Sequence, residues 1–441
     1  MEIFASVGGT IWTVFFFIVA LSIIIFVHEY GHYIVGRWSG IHAEVFSLGF
    51  GPVIWSRVDA RGTRWQLAAL PFGGYVKFLG DADASSVRPA DVSGLTPGER
   101  RHTMAGAPLW ARASTVAAGP IFNFILTYVV LAGLLLWTGL PQQEPTVGKL
   151  MPTPFVGETI KEGDVIVALN GTPTPDLAAF RDAGAALPPD PVIDYTVRRG
   201  TEEITLKGPH PYPPLVSMVL IRSAAMDAGL QEGDVILKAA GQDVTVFAQL
   251  PEIVNASKGE PVPLTVWRDG KTFDLTLTPR IRATEGEGGA LVEKYQIGLA
   301  SGLVFEPASR SVGAGELVTL TASEMWRMVT TTFSGLGHLI SGQISTCNLS
   351  GPIGMAETMG DAARNGLESF IGMVAVLSLG VGILNLFPIP VLDGGHLVFH
   401  AYEAVTRRPP SDRALRVMMS IGLAIILSLM VFALTNDIFC V

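Results

Sequence analysis

The stretch Phe26-Val27-His28-Glu29-Tyr30-Gly31-His32 reads H-E-x-x-H. On a helix, His28 and His32 project from one face, one turn apart. Two imidazoles at that spacing can share one Zn²⁺, and Glu29 then stands beside the ion as a general base. The motif closes an apolar run, Ile11-Trp12-Thr13-Val14-Phe15-Phe16-Phe17-Ile18-Val19-Ala20-Leu21-Ser22-Ile23-Ile24-Ile25-Phe26-Val27. About 20 such residues cross a bilayer core. The plainer alternative is three polar residues at the interfacial end of a membrane helix. Ionisable groups at depth cost roughly 2.5 kcal/mol or more each, so they persist with a partner, and a metal ion is one.

The composition extends this reading to the whole chain. Of 441 residues, 49% are hydrophobic and 16% charged, with a mean hydropathy of +0.42. Soluble domains carry about 25% charged residues, so the chain reads as a polytopic membrane protein with soluble inserts. A net charge of -9 argues against a nucleic-acid partner. Cys347 and Cys440 provide neither metal-ligand spacing nor a disulfide framework. The first apolar run lacks a basic leader and a small-residue cleavage site, and reads as a retained helix.

Four segments are expected to span, at about residues 10–32, 115–138, 370–391 and 415–435. Arg37, Arg57, Arg61, Arg64, Lys77, Arg88, Arg100, Arg101 and Arg112 lie between the first two. Arg407, Arg408, Arg413 and Arg416 lie between the last two. Short basic loops stay in the cytoplasm. Both termini and the long middle segment are then expected outside, in the periplasm of a Gram-negative cell, with His28 and His32 toward the cytoplasmic side.

The first basic loop carries Trp65-Gln66-Leu67-Ala68-Ala69-Leu70-Pro71-Phe72-Gly73-Gly74-Tyr75-Val76-Lys77-Phe78, which reads as two short apolar strands around a turn. Gly49-Phe50-Gly51-Pro52 marks another turn. Non-helical backbone survives at membrane depth when it is covered by protein or lines a wet cavity. The hairpin either packs on the cytoplasmic face or re-enters beside the metal. Residues 81–103 read as a mobile loop. In the second span, Asn123 after Gly119-Pro120 reads as a polar bond to a neighbouring helix.

An internal repeat follows. Glu162-Gly163-Asp164-Val165-Ile166 recurs as Glu232-Gly233-Asp234-Val235-Ile236, 70 positions later. Each copy ends in an alternating strand pair, with Asp269-Gly270 a strong turn signal in the second. The pattern resembles PDZ domains, which bind extended peptides at a sheet edge. The second copy has the fuller form, with Ala224-Ala225-Met226-Asp227-Ala228-Gly229-Leu230 ahead of it. Spacers that bind no peptide are the alternative. Residues 283–310 are Gly- and Glu-rich and read as a linker, and 314–345 as an amphipathic helix.

The third span carries Asn385-Leu386-Phe387-Pro388-Ile389-Pro390-Val391-Leu392-Asp393-Gly394-Gly395-His396, whose prolines and glycines break a helix. A carboxylate is the usual third ligand beside two helical histidines, so Asp393 is a candidate. It could instead cap the following helix, and His396 and His400 are rival ligands.

With both motifs in place, the chain resembles the site-2 protease family of intramembrane zinc metalloproteases, nearest its bacterial regulator of sigma-E protease branch with tandem PDZ domains. The resemblance rests on H-E-Y-G-H, Gly49-Phe50-Gly51, Phe72-Gly73-Gly74-Tyr75-Val76, Gly119-Pro120-Ile121-Phe122-Asn123, the repeat, and N-x-x-P-x-P-x-L-D-G. It implies one Zn²⁺ per chain held by His28, His32 and Asp393, with Glu29 as catalytic base. It implies that Asn385, Gly73, Gly74 and Tyr75 contact the substrate, the hairpin by pairing with an unwound strand. The substrates implied are single-span membrane proteins in the bilayer of the bacterial inner membrane. An anti-sigma factor already cut on the periplasmic side, or a remnant signal peptide, would be examples. The PDZ pair would screen them and take peptide ligands.

The expected architecture is four transmembrane helices, a membrane-associated β-hairpin and two inserted β-rich PDZ-like domains. Its segments are 1–36, first helix; 37–113, cytoplasmic loop with the hairpin; and 114–140, second helix. The inserts follow at 141–212 and 213–282, then a linker and amphipathic helix at 283–367. The third span with its motif occupies 368–406 and the fourth 407–441. The rival classes are a non-catalytic PDZ receptor with a structural metal and an ion transporter. A structural zinc site has four protein ligands and no use for Glu29. Transporters often repeat their membrane halves, and these spans show no repeat.

Overall fold

A computed structural model describes residues 2–80, 96–155, 159–220, 223–285, 291–343 and 349–439. Most of the loop expected at 81–103, together with Cys347 and Cys440, lies outside these residues. Helix α1 (Glu2–Trp38) leads into strands β1 (Ala43–Val58) and β2 (Arg64–Phe78). The helices α2 (Pro97–Arg101), α3 (Leu109–Thr138), α4 (Leu177–Ala185), α5 (Ala224–Asp227) and α6 (Gln249–Ala256) follow. The chain closes with α7 (Ala314–Ile340), α8 (Pro352–Arg364), α9 (Leu367–Leu386), α10 (Asp393–Thr406) and α11 (Asp412–Phe439). The chain divides into two compact units, Met1–Leu134 with Val318–Val441, and Leu135–Leu317.

In the first unit, four helices among the described residues are long and apolar enough to cross a membrane: Gly9–Trp38, Leu109–Thr138, Leu367–Leu386 and Asp412–Phe439. They match the four expected spans, with one difference. Helix α9 stops at Leu386, and residues 387–392 run without helix to α10. Pro388 and Pro390 account for the break, because proline lacks the N–H that a helix needs and disfavours helical geometry in the residue before it. Helix α8 was not expected. It packs along α1, where Trp12 Nε1 donates to Gly360 O at 3.3 Å and Met359 is fully buried. Helix α7 occupies the amphipathic segment and lies against the bundle, with Tyr128 Oη donating to Val318 O at 3.3 Å.

The expected hairpin at 65–78 is a larger sheet. The two short strands do not pair with each other. They flank the start of β1 instead. Ala43 to Leu48 pairs antiparallel with Phe78 back to Gly74 on one side. On the other side the register runs from Val45 opposite Arg64 to Leu48 opposite Leu67. The second half of β1 then folds back along the same residues, from Trp55 opposite Leu67 to Val58 opposite Arg64. The bend falls at Gly49-Phe50-Gly51-Pro52, where Gly49 and Gly51 take φ of +89° and +85°. Phe46 and Phe78 bury themselves with Tyr33 of α1 beneath this sheet. Of the loop expected after it, residues 97–101 form α2, started by a Thr96–Glu99 capping box.

In the second unit the repeat becomes two equivalent four-stranded sheets. In one, Val165–Leu169 sits between Thr172–Pro173 and Val192–Arg199, with Glu202–Pro209 at the edge. In the other, Val235–Ala239 sits between Gln242–Asp243 and Val262–Arg268, with Lys271–Leu277 at the edge. Asp164 and Asp234 are buried at matching positions and hold Arg199 and Arg268 in two-point ion pairs. The stretch 283–310 is not a plain linker. Leu291–Gln296 pairs with Arg280–Glu285, Leu299–Ser301 with Val216–Val219, and Phe305–Pro307 with Val147–Leu150. Ile297, Val304 and Phe305 thereby complete the two cores. Three apolar residues among glycines and glutamates carry no periodic signal, and their partners lie far back in the chain.

Candidate active site

Helix α1 delivers two imidazoles to one point. His28 Nε2 and His32 Nε2 are 3.2 Å apart, with the ring planes nearly perpendicular. Asp393, at the first turn of α10, brings Oδ2 to 3.2 Å from His28 Nε2 and 3.5 Å from His32 Nε2. The residue before it, Leu392, holds the cap position, and no side chain caps this helix. The Asp393 carboxylate therefore turns toward the histidines instead of capping its own helix. Its Oδ2 is buried and accepts no hydrogen bond.

These three atoms fit a zinc ion. Metal–ligand bonds of about 2.0–2.1 Å in a tetrahedron give ligand–ligand edges of about 3.3–3.4 Å. The three observed edges bracket that value. Three lone-pair atoms held this close and mostly buried, with one oxygen unpartnered, make a polar arrangement that a cation would complete. Among the described residues, His28, His32 and Asp393 are the group of His, Cys and carboxylate side chains close enough to share an ion. His396 and His400 line the same cavity but do not join that group.

One face of α3 supports the site, through Arg112, Thr115, Gly119 and Asn123. Thr115 O lies 2.8 Å from His32 Nδ1. A carbonyl can only accept, so Nδ1 carries the proton and Nε2 keeps its lone pair. Asn123, fully buried, sets its side-chain amide 3.2 Å from His28 Nδ1. Between them Gly119 lets the helix touch both rings, because a Cβ there would overlap His32 Nε2. At the start of α3, Arg112 makes a two-point ion pair to Glu403 of α10, at 2.6 and 3.0 Å. The sequence marks Gly119 and Asn123 as helix-packing residues and Arg112 as part of a basic loop, gives Thr115 no role, and ties none of the four to the histidines. The 3-4-4 spacing of 112, 115, 119 and 123 was the available signal.

The site opens into a cavity of about 430 Å³. Glu29, Gly74, Tyr75 and Asn385 line it together with the three candidate ligands. Glu29 stands outside the three-atom group, beside the sheet: a Cβ on Gly74 would lie 3.1 Å from Glu29 Cγ. Asn385 ends α9 and donates its amide to Val381 O at 3.0 Å. Tyr75 stacks on Phe50, and its hydroxyl accepts from Gln66 Nε2 at 3.2 Å. Gly73 does not reach the cavity. It makes the bend before the edge strand with φ +119°. Gly74–Phe78 pairs on one side with Ala43–Leu48, and among the described residues no strand pairs with its other side.

Two histidines one turn apart and an aspartate from a distant helix, with a glutamate beside them, is the layout of a metallopeptidase. The family model for peptidase family M50 matches residues 16–429, and the chain belongs to that family. It is 36% identical over 430 residues to a protein of Agrobacterium fabrum named "Putative zinc metalloprotease Atu1380", covering 96% of this chain and 94% of that one. It is 34% identical over 456 residues to the regulator of sigma-E protease RseP of Salmonella typhimurium, covering 97% and 98%. The chain is thus a metalloprotease of the M50 family.

Proposed function

We propose that this protein cuts peptide bonds within the membrane-spanning segments of single-span proteins, using one Zn²⁺ held by His28, His32 and Asp393. The observation that carries this reading is the three-atom group with Glu29 beside it and outside it. A three-ligand set leaves a coordination position open, as catalytic zinc sites do, whereas structural sites are closed by four. When bound, the zinc ion supplies Lewis acidity toward water and the scissile carbonyl. Glu29 takes a proton from the attacking water and hands it to the leaving amine. Asp393 and the two imidazoles hold their lone pairs inward. Thr115 and Asn123 keep the rings from turning.

A substrate helix hides its carbonyls in its own hydrogen bonds. It has to unwind locally before Glu29 and the ion can reach a peptide bond. The open edge of Gly74–Phe78 offers the freed backbone a partner, as strand addition does elsewhere. Gly73 sets the bend that presents this edge, and Tyr75 and Asn385 contact the extended segment. Segments with Gly, Pro or other weak helix formers are then cut faster.

In this reading the two repeated sheets are PDZ-like domains that screen substrates and take peptide ligands. The protein sits in a bacterial inner membrane, with both termini and the inserts periplasmic and the site toward the cytoplasm. The RseP relative is named a regulator of sigma-E protease. An anti-sigma factor shortened by an earlier periplasmic cut, or a remnant signal peptide, is the substrate type we infer.

The test is metal analysis of the purified protein, then cleavage of a model single-span substrate by wild type and Glu29→Gln. One zinc per chain in both, with cleavage lost only in the variant, is expected. Undiminished cleavage by Glu29→Gln overturns the assignment.

A further inference from the structure

A second cavity, of about 270 Å³, lies where α1 ends. Arg37, His42, Arg61 and His102 line it, and among the described residues no carboxylate does. The guanidinium of Arg37 spends one Nη1 on Tyr33 Oη, at 2.8 Å, and lies over that ring. Arg61 donates its backbone N–H to Asp59 Oδ1 at 2.8 Å. Among the described residues neither arginine forms an ion pair. His102 Nδ1 donates to Gly40 O at 2.7 Å, which turns its other nitrogen away from that carbonyl. Arg101 reaches the same glycine. Its Nη2 donates to Ser39 O at 3.2 Å, and its Nη1 is buried with no acceptor, 3.4 Å from where a Gly40 Cβ would stand.

Among the described residues, Asp59 is the carboxylate of the adjoining turn, and no ion pair joins it to Arg37 or Arg61. Asp59 accepts from the backbone N–H groups of Arg61 and Thr63 and from Trp65 Nε1, at 2.8, 3.0 and 3.1 Å, and so closes its own turn. Two guanidinium groups and two imidazoles thus line the hollow, with Arg101 against Gly40 at its wall and, among the described residues, the committed carboxylate of Asp59 in the adjoining turn. Arginine forks match phosphate oxygens better than any other side chain does. Arg37 occupies the last turn of a membrane-length helix, and the next residue, Trp38, is 75% exposed. Tryptophan at a helix end marks headgroup level, and basic pockets there take anionic headgroups.

We propose that this cavity is a phosphate-binding site that seats the headgroup of an anionic phospholipid. Arg37 and Arg61 grip the phosphate, one from α1 and one from the turn between β1 and β2. Occupancy ties the helix that carries His28 and His32 to the sheet whose edge lies beside Glu29. The site owes nothing to the proteolytic reading and stands or falls separately.

The test uses the full-length protein in detergent and native mass spectrometry with phosphatidylglycerol or phosphatidylcholine added. Calorimetry with inorganic phosphate runs in parallel. Wild type is expected to retain phosphatidylglycerol about tenfold over phosphatidylcholine, since arginines at headgroup level favour anionic lipid. Arg61→Glu abolishes the preference, and Arg61→Lys restores part of it. Arg408→Glu, a charge reversal on another exposed arginine, leaves it intact. Phosphate binding that vanishes in Arg61→Glu without any lipid preference keeps the site and assigns it to a soluble phosphate. A wild type with no preference for either ligand, or a preference that Arg61→Glu does not change, overturns the proposal.

Discussion

Asn123 and His28 meet across 95 positions of sequence, amide to ring nitrogen at 3.2 Å, inside the membrane unit. The ring decides which amide atom must face it. An Nε2 that offers its lone pair to a cation carries the ring proton on Nδ1. Asn123 must then present Oδ1, the atom that is buried without a partner when the amide nitrogen faces the ring. Asn123→Ala is therefore expected to weaken zinc binding by about 10–100-fold, the usual cost of losing such a support. Competition with a chelator reads this directly. A variant that holds zinc as tightly as wild type would show that His28 needs no such partner.

The Arg112–Glu403 ion pair joins the start of α3 to α10, and both side chains are under one-fifth exposed. Helix α10 begins with Asp393, so the pair fixes the third candidate ligand against α3, whose Thr115 and Asn123 meet the two histidine rings of α1. Removing one partner leaves a largely buried charge alone, at a cost of about 3 kcal/mol or more, whereas removing both can come close to neutral. Arg112→Met and Glu403→Met should each lower the unfolding midpoint and the zinc affinity, and the double variant should recover most of both. Additive losses in that cycle would mean that the two side chains act independently.

The membrane elements were readable in advance because their signal is local. Four apolar runs, an H-E-x-x-H at the end of one and two prolines at the end of another are each contained in a short window. What escaped depended on distant partners. Helix α8 carries little hydropathy of its own and owes its place to Trp12 and Asp437. The segment 74–78 was read as pairing with 65–70, its neighbour in sequence, but Ala43–Leu48 comes between them. Gly119 and Asn123 were visible as helix-packing residues, and only the approach of α1 gives them the imidazoles as neighbours. Asp393 had two roles open to it, and its carboxylate turns to His28 and makes no cap bond to α10.

In the inserted unit, Asp164 shows how the repeat is held. Its side chain is 2% exposed, and it accepts from Arg199 twice at 2.8 Å and from the Lys161 N–H at 2.8 Å. Burial alone would push its carboxyl up, but these donors outweigh burial and hold it below the usual carboxylate range. A pKa lowered by folding adds stability above the unfolded value, about 3.9, and that stability fades as pH falls through the folded value. Asp164→Asn should therefore reduce hydrogen-exchange protection of the strand Val165–Leu169 at pH 7. The gap from wild type should narrow once the pH drops below about 4. A gap that persists undiminished in acid would assign the loss to packing instead of charge.

Asp437, near the end of α11, closes the N-terminus of α8. Its carboxylate accepts from the N–H groups of Gly351, Ile353 and Gly354 at 2.8, 3.0 and 3.1 Å. The first N–H groups of a helix have no internal acceptor, and a carboxylate there also meets the positive end of the helix dipole. The helix cannot cap itself, since Gly351 holds the cap position and has no side chain to offer. Asp437→Ala should cost about 1–2 kcal/mol, and Asp437→Asn less, since an amide oxygen still accepts. Because α8 packs along α1 well before His28, cleavage at low temperature should survive while the unfolding midpoint falls. If Asp437→Ala unfolds at the wild-type temperature, α8 is held by its packing against α1 and α9 without help from this cap.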